Sequence, residues 1–109
     1  MSPDAARAET PADRIGADDA RRRLVHERDA RLAQLTAIEG EAPPGSTDAL
    51  LTAQTAAIRQ VLAEIEQAEA RLAAGTYGTC VRCAEPVPAE RLEILPYARC
   101  CVGCQEHTG

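Results

Sequence analysis

Two short cysteine motifs constrain the fold of this 109-residue chain more than any other feature. Cys80-Val-Arg-Cys83 and Cys101-Val-Gly-Cys104 each place two thiols on one tight turn, and 17 residues separate the two motifs. Four thiolates at this spacing wrap a tetrahedral ion, because a two-residue gap lets both sulfurs of a turn reach one metal. The spacing predicts that Cys80, Cys83, Cys101 and Cys104 bind one structural Zn²⁺, with rubredoxin-type iron as the alternative.

The fifth cysteine, Cys100, is left over by this pairing. Cys101 and Cys104 keep the two-residue gap, whereas a pairing of Cys100 with Cys104 leaves a three-residue gap. We expect Cys100 to pack as a small apolar residue, and the alternative is a redox thiol that enters the coordination sphere under oxidation. Four thiolates saturate zinc, so no position is open for a substrate, and the chain is not expected to be an enzyme.

Composition limits where such a chain acts and what it binds. Only 2% of the residues are aromatic, so the core is small and depends on a staple such as a metal. The sequence contains neither an apolar run of about 20 residues, which a membrane span requires, nor a signal peptide, and we expect a cytoplasmic protein. In that compartment paired cysteines bind metal rather than form disulfides. The net charge of −5 argues against sequence-specific DNA binding.

The middle of the chain has the heptad pattern of two helices. The second helix, of about 27 residues, is expected to end at Gly75. Its apolar stripe consists of Leu51, Ile58, Val61, Ile65, Ala68 and Leu72, widened by Leu50 and Leu62. The first helix repeats the pattern more weakly, at Val25, Leu32 and Leu35 beside Leu24 and Ile38. Its charged beginning, residues 12–23, is expected to fray or project into solvent.

The segment EGEAPPGSTD separates the two helices. Gly40, the Pro43-Pro44 pair and Gly45 cannot continue a helix. The next helix can be capped by Ser46, Thr47 or Asp48. Two helices that each have an apolar stripe, and that are joined by such a helix-breaking segment, form an antiparallel hairpin within a monomer. The alternative is a parallel coiled-coil dimer with a kink at the breaker.

These patterns predict a mainly α fold, in which an antiparallel coiled-coil hairpin precedes a small four-cysteine zinc module. The expected division is a disordered tail at 1–11, the hairpin at 12–75 with its tip near 40–48, and the zinc module at 76–109.

Residues 72–105 resemble the DksA/TraR family of zinc-finger transcription regulators. The resemblance rests on the Gly-x-Tyr-Gly-x-Cys motif at 75–80, on the cysteine spacing and on the residues from Glu90 to Pro96. It implies binding to RNA polymerase, with the coiled-coil hairpin inserted in the secondary channel and acidic tip residues near the catalytic centre. The acids available at the tip are Glu39, Glu41 and Asp48, although capping alone is sufficient to explain Asp48.

The residues after Cys104 and three arginines of the zinc module lead to two more expectations. The helix that often follows the last cysteine in this family is expected to be missing, because only five residues follow Cys104. Arg82, Arg91 and Arg99 are expected to be solvated, and the alternative is that they meet an acidic polymerase surface. The competing functions are a zinc-finger interaction module for another partner and a thiol/zinc redox switch.

Overall fold

The computed structural model describes residues 16–41 and 48–108, the side chains of 106–108 excepted. The expected tail at 1–11 and most of the expected tip lie outside this range. The described chain forms four helices: α1 (Ala17–Glu41), α2 (Ala49–Ala74), α3 (Ala89–Ile94) and α4 (Val102–Thr108). Among the described residues β pairing is limited to one isolated bridge between Thr79 and Pro86. None of the described helices is long and apolar enough to cross a membrane.

Helices α1 and α2 form the predicted antiparallel hairpin. Two ion pairs connect them: Arg28 lies 2.6 Å from Glu69, and Arg59 lies 3.4 Å from Glu39. Because the partner's number falls as the residue number on α1 rises, the helices run in opposite directions. Each helix therefore covers the apolar stripe of the other within one chain, as the hairpin interpretation requires.

Both ends of α2 have the predicted capping residues. Asp48 Oδ1 accepts hydrogen bonds from the backbone N–H groups of Leu50 and Leu51, at 2.8 and 3.3 Å. At the other end Gly75 has a φ of 81°, and its N–H group donates to Leu72 while that of Thr76 donates to Arg71. This pair of bonds is a Schellman motif, which satisfies the last carbonyls of the helix and reverses the chain into the cysteine module.

The apolar stripe of α2 is largely as predicted, whereas that of α1 differs. Ile58, Ile65 and Ala68 are buried, but Leu50 is 67% exposed and does not widen the stripe. On α1 the buried positions are Ala20, Leu24 and Leu35, while Leu32 is 45% exposed. The buried positions of α1 differ from the predicted apolar stripe because half-buried Glu27 and Arg31 occupy the helix face between Leu24 and Leu35.

The main core lies where the cysteine module meets the base of the hairpin. It combines residues of both parts: Ala20, Leu24, Ile65, Ala68, Tyr77, Cys80, Val87, Leu92 and Cys100. For residues 16–23, the described part of the segment 12–23, the prediction that the charged beginning of α1 frays or projects into solvent is therefore wrong. Its charges pair with one another on the outer face, as in Arg21–Asp18 and Arg23–Asp19 at 2.9 Å, so the alanine and leucine face is free to pack on the module.

Candidate metal centre

The first cysteine turn lies in a short, irregular two-armed loop that follows Gly75. Backbone bonds from Val87 to Gly78 and from Cys80 to Glu85, both 2.8 Å, hold its two arms together. The turn itself is closed by the N–H group of Ala84, which donates to the carbonyl of Cys80 at 3.0 Å. Gly78 and Ala84 adopt positive φ values of 86° and 65°, so the chain bends sharply enough to aim both thiols at one point.

The second cysteine turn coincides with the start of α4. Gln105 donates its backbone N–H group to the carbonyl of Cys101 at 2.9 Å, which makes the motif the first turn of a helix. The Val81 N–H group bonds to the carbonyl of Arg99 at 2.9 Å and fixes one turn against the other. Since α4 extends to Thr108, the expectation that no helix follows the last cysteine is wrong: the helix begins within the motif.

The structure brings together the four cysteines that the spacing singled out. The sulfur atoms of Cys80, Cys83, Cys101 and Cys104 all lie within 4.8 Å of one another. The Cys83 and Cys101 sulfurs are 3.7 Å apart, close to the separation of about 3.8 Å in a tetrahedron with Zn–S bonds of about 2.3 Å. The donor set and its dimensions therefore fit one Zn²⁺ ion.

The environment of the four thiols also favours a cation. Backbone hydrogen bonds from Cys101 and Cys83 stabilise the thiolate and lower the pKa of Cys80 to about 5. Hydrogen bonds with the thiols of Cys101, Cys83 and Cys80 raise the pKa of Cys104 to about 12. The Cys80 sulfur thus ionises readily, whereas the raised pKa values of Cys83 and Cys104 mean that these two thiols resist a further negative charge until a divalent ion offsets it.

Cys100 is not one of the four clustered sulfurs and lies in the core. It is only 2% exposed and packs among the residues at the base of the hairpin. This burial favours the packing role over the redox role, because oxidation of a thiol requires access to the oxidant. The redox role has no test here and stays a prediction.

Tyr77 is a structural anchor whose contact the sequence did not reveal. Its hydroxyl donates to the carbonyl of Pro96 at 2.7 Å, so the segment that enters the first cysteine turn is tied to the loop before the second. Burial raises the pKa of Tyr77. The available signal was compositional: Tyr77 and Tyr97 are the chain's two aromatic residues, both lie in the module, and a large aromatic side chain in so small a module is a natural core residue.

The predicted tip acids lie at the end of the hairpin remote from the cysteines. Glu39 pairs with Arg59, Glu41 is the exposed last residue of α1, and Asp48 caps α2. The described molecule measures 65 Å along its longest axis, and α2 with 26 residues spans about 39 Å of it. The acids and the cysteine cluster therefore lie at opposite ends of one rod.

Residues 75–107 match the family model described as the prokaryotic dksA/traR C4-type zinc finger. This chain carries a DksA/TraR zinc finger. The family description specifies zinc, so the cysteine cluster is a zinc site rather than an iron site. Together with the geometry of the sulfurs, it supports one structural ion.

The likeness extends from the DksA/TraR finger to the whole fold. The structure of transcription factor DksA2 from Pseudomonas aeruginosa matches with a TM-score of 0.74 and 27% identity, over 98% of this chain and 90% of that chain. An uncharacterized protein of Aquifex aeolicus is 44% identical over 45 residues, and general stress protein 16O of Bacillus subtilis is 43% identical over 47. These two matches span 31% and 29% of the relatives' lengths. The finger therefore matches the DksA/TraR type, and the fold of the chain is similar to that of transcription factor DksA2.

Proposed function

We propose that this protein is a cytoplasmic regulator of transcription that binds RNA polymerase and inserts its hairpin in the secondary channel. Cys80, Cys83, Cys101 and Cys104 are the proposed ligands of its structural zinc. The observation that carries the proposal is the fold match to transcription factor DksA2 along 98% of this chain. A local match of the finger alone would not extend to the hairpin, which is the part that enters the channel.

The shape of the molecule suits insertion into a narrow passage. The extents of 65 × 30 × 21 Å describe a rod whose distal part is a single pair of helices. A two-helix rod is about 20 Å across, since each helix with its side chains is about 10 Å wide. The zinc module widens the other end and sets how far the rod can enter.

The distal end has the chemistry to contact a partner. Glu39, Glu41 and Asp48 are acidic and exposed, and Leu50 beside them is 67% exposed. A groove of about 370 Å³ opens next to these acids between the two helices. Acidic side chains on a projecting tip favour a partner site that holds cations, as a metal-dependent catalytic centre does.

The zinc acts on this function through structure. Four thiolates leave no open coordination position, so the ion activates no water and binds no substrate. The module has few large buried side chains besides Tyr77, Val87 and Leu92, and the metal replaces the core that it lacks. A folded module fixes the base from which the hairpin projects at a defined angle.

The proposal is tested by binding of the purified, zinc-loaded protein to core RNA polymerase. The diagnostic variant combines Glu39→Gln with a neutral Gly/Ser loop in place of residues 40–48 that ends in Asn, so that the cap of α2 is kept while all three acids are removed. We expect this variant to bind with similar affinity and to have no effect in a transcription assay. Failure of the wild-type protein to bind at micromolar concentration would contradict the proposal and leave an interaction module for another partner.

A crosslinking experiment tests the channel itself. A photoreactive amino acid at Leu50, which is exposed beside the tip, is expected to crosslink to the catalytic subunits next to the active site. The matched control places the same group at Ile94, an exposed position on the zinc module. Equal crosslinking of both positions to outer polymerase surfaces would argue for binding outside the channel.

A further inference from the structure

One face of the hairpin is not covered by the zinc module. On α2, Val61 packs against the core that the module shares with the hairpin base. The next residue, Leu62, is rotated by about 100° around the helix axis, so it lies on the other flank of the stripe that faces α1. Leu62 is half-buried and is not part of that core, and the same is true of Val25 on α1. Leu32 is 45% exposed, so the described chain leaves the surface formed by these three apolar side chains open.

Two ion pairs between the helices lie on the same face. Near the base, Arg28 of α1 contacts Glu69 of α2 at 2.6 Å, and nearer the tip, Glu39 of α1 contacts Arg59 of α2 at 3.4 Å. Arg28 and Glu39 lie one turn before and two turns after Leu32, on its flank of the helix. The polarity reverses along the face, because α1 contributes the cation of the first pair and the anion of the second. The open face consists of Val25, Arg28, Leu32, Glu39, Arg59, Leu62, Glu66 and Glu69.

Two leucines occupy the middle of the open face. The two ion pairs are separated by 11 residues on α1 and by 10 residues on α2, which is about 16 Å along the hairpin. Leu32 and Leu62 each lie within two residues of the midpoint on their own helix. A groove of about 370 Å³, lined in part by Glu39 and Arg59, continues the face toward the tip. The face is thus apolar in the middle and has ion pairs of opposite polarity at its two ends.

We infer that the open face binds a second copy of this chain, with α1 against α1 and α2 against α2 in antiparallel orientation. A two-fold axis through the midpoint places Arg28 opposite Glu39 of the second copy, and Glu69 opposite Arg59 of the second copy. Each end of the contact therefore holds a ring of four alternating charges, and Leu32 of both copies packs between the rings. A second copy is the occupant that this pattern selects, because symmetry supplies the matching charges in the required order.

The ion pairs have unused hydrogen-bonding capacity for these contacts. Arg28 uses only Nη1 to contact both carboxylate oxygens of Glu69, and Arg59 uses only Nη2 to contact one oxygen of Glu39. A guanidinium group has five N–H donors, so each arginine retains donors for a second carboxylate. Glu66 is exposed one turn from Glu69, and it adds a carboxylate beside the position of the second arginine. The open face therefore carries two arginines and three glutamates in each copy.

The antiparallel orientation follows from what lies at the ends of the molecule. In a parallel pair, α1 of one copy lies on α2 of the other, and opposite charges also meet. That orientation, however, places the two zinc modules side by side and brings Glu41 and Asp48 of both tips together. Antiparallel packing separates the modules and the acidic tips. The module packs on the opposite flank of the hairpin, so it leaves the open face clear for the second copy.

The contact is small, so we expect the dimer to be weak. From Val25 to the position related to it by the two-fold axis, the overlap is about 25 Å long and about 20 Å wide, or on the order of 500 Å² from each copy. An interface of this size favours a dissociation constant of about 10–100 μM. The consequence for transcription rests on the proposed function: two stacked hairpins are about twice as thick as one, so only the monomer enters the channel.

Sedimentation equilibrium of the full-length, zinc-loaded protein measures dimerisation in the absence of polymerase. The base swap is Arg28→Glu with Glu69→Arg, and the tip swap is Glu39→Arg with Arg59→Glu. Each swap keeps an ion pair within the chain and leaves the net charge unchanged, but it places like charges opposite each other in the antiparallel dimer. We expect each single swap to weaken dimerisation at least tenfold, and the two swaps combined to restore it to within about threefold of the wild-type value.

Leu32→Ser tests the apolar centre of the contact and is expected to weaken dimerisation several fold. Leu50→Ser is the matched control and is expected to dimerise as the wild-type protein does. Leu50 is 67% exposed, but it lies three helical turns before Val61 and therefore on the flank that faces away from the open face. Helicity and one zinc per chain are verified for every variant, and recovery in the combined swap shows that the single swaps fold.

The outcomes separate this inference from the proposed function. A wild-type protein that stays monomeric up to about 1 mM would overturn the inference. A dimer that both single swaps leave intact would also overturn it, since that dimer is parallel or uses another surface. A protein that dimerises but does not bind polymerase contradicts only the proposed function. Where both hold, polymerase occupancy is expected to rise less steeply with protein concentration for the wild type than for the base swap, and the combined swap should follow the wild type.

Discussion

Ala84 holds a backbone conformation that is unfavourable for every residue except glycine and a few polar residues. Its φ of 65° closes the first cysteine turn, and a Cβ atom in this region clashes with the following carbonyl. The strain is tolerated because the turn is held on both sides, by the bond from Ala84 to Cys80 and by the metal that both cysteines of the turn are proposed to bind. The conformation of Ala84 therefore costs some folding free energy, and it directs the sulfurs of the turn toward one point.

Ala84→Gly is expected to stabilise the zinc-loaded protein by about 0.5–1 kcal/mol, because glycine adopts the required conformation without a clash. The midpoint of urea unfolding measures the effect. Ala70→Gly, on the exposed face of α2, is the matched control and is expected to destabilise by about 1 kcal/mol. A loss of stability in Ala84→Gly would show that the turn is not strained.

Tyr77→Phe is expected to destabilise the protein by about 1–2 kcal/mol, since it leaves the Pro96 carbonyl without the 2.7 Å hydrogen bond. Burial raises the pKa of Tyr77 above its ordinary value of 10.0, so the neutral hydroxyl is favoured in the folded state. The stability that Tyr77 contributes is complete below pH 10 and is lost as the pH rises through the folded-state pKa. The free energy of unfolding, measured between pH 9 and pH 11.5, tests this pH dependence. The stability of the wild-type protein should fall with rising pH by the contribution of Tyr77, and Tyr77→Phe should lack that part of the fall.

At the scale of elements, the hairpin is defined by its ends as much as by its stripe. Asp48 begins α2 and Gly75 ends it, and both act through backbone groups within a few residues. The stripe between them is apolar enough to pair, but towards the tip it thins to Ile38, Leu51 and Thr55, which line an open groove. The distal hairpin is therefore stabilised more by helix capping and helix propensity than the proximal part is.

Asp48→Ala is expected to destabilise α2 by about 1 kcal/mol, whereas Asp48→Asn is expected to be nearly neutral because asparagine also caps helices. Helicity by circular dichroism and urea unfolding measure both variants. The two variants also distinguish the capping role of Asp48 from a role of its negative charge. Loss of the transcription effect in Asp48→Asn, with stability retained, would assign the charge of Asp48 a role at the tip. Equal stability of the alanine and asparagine variants would contradict the capping role.

At the scale of the whole molecule, the zinc module and the hairpin base form one core. Ala20 and Leu24 of α1 are fully buried in a core that they share with Ile65 of α2 and with Tyr77, Val87 and Leu92 of the module. Unfolding of the module consequently exposes the beginning of α1, while the distal hairpin is not part of this core. The metal thus stabilises a helix to which it is not bound.

Removal of zinc by a chelator is expected to abolish the amide protection of residues 17–24 and 77–100 against hydrogen exchange, and to change residues 51–58 much less. Protection is measured by hydrogen–deuterium exchange on the zinc-loaded and chelated protein. Cys101→Ala is expected to behave as the chelated protein and to bind no zinc tightly, whereas Cys100→Ala should keep one zinc per chain. Loss of zinc in Cys100→Ala but not in Cys101→Ala would reverse the assignment of the spare thiol.

The sequence by itself determined the features that depend on near neighbours. The two Cys-x-x-Cys turns, the cap at Asp48 and the stop at Gly75 are set by groups a few residues apart, so spacing and residue type were sufficient to predict them. The antiparallel hairpin followed because its breaker lies between two long apolar stripes. These elements already implied the zinc finger and the rod.

Only the tertiary structure decided which surfaces are covered. The burial of Ala20 and Leu24, the placement of Cys100 in the core and the bond from Tyr77 to Pro96 join positions far apart in the sequence. From the sequence alone, a charged, alanine-rich helix start is expected to be solvated, because the module that packs on it is distant in the sequence. The physical reason is that burial depends on what lies opposite a residue, and the zinc module, which folds back onto the hairpin base, supplies that opposite surface.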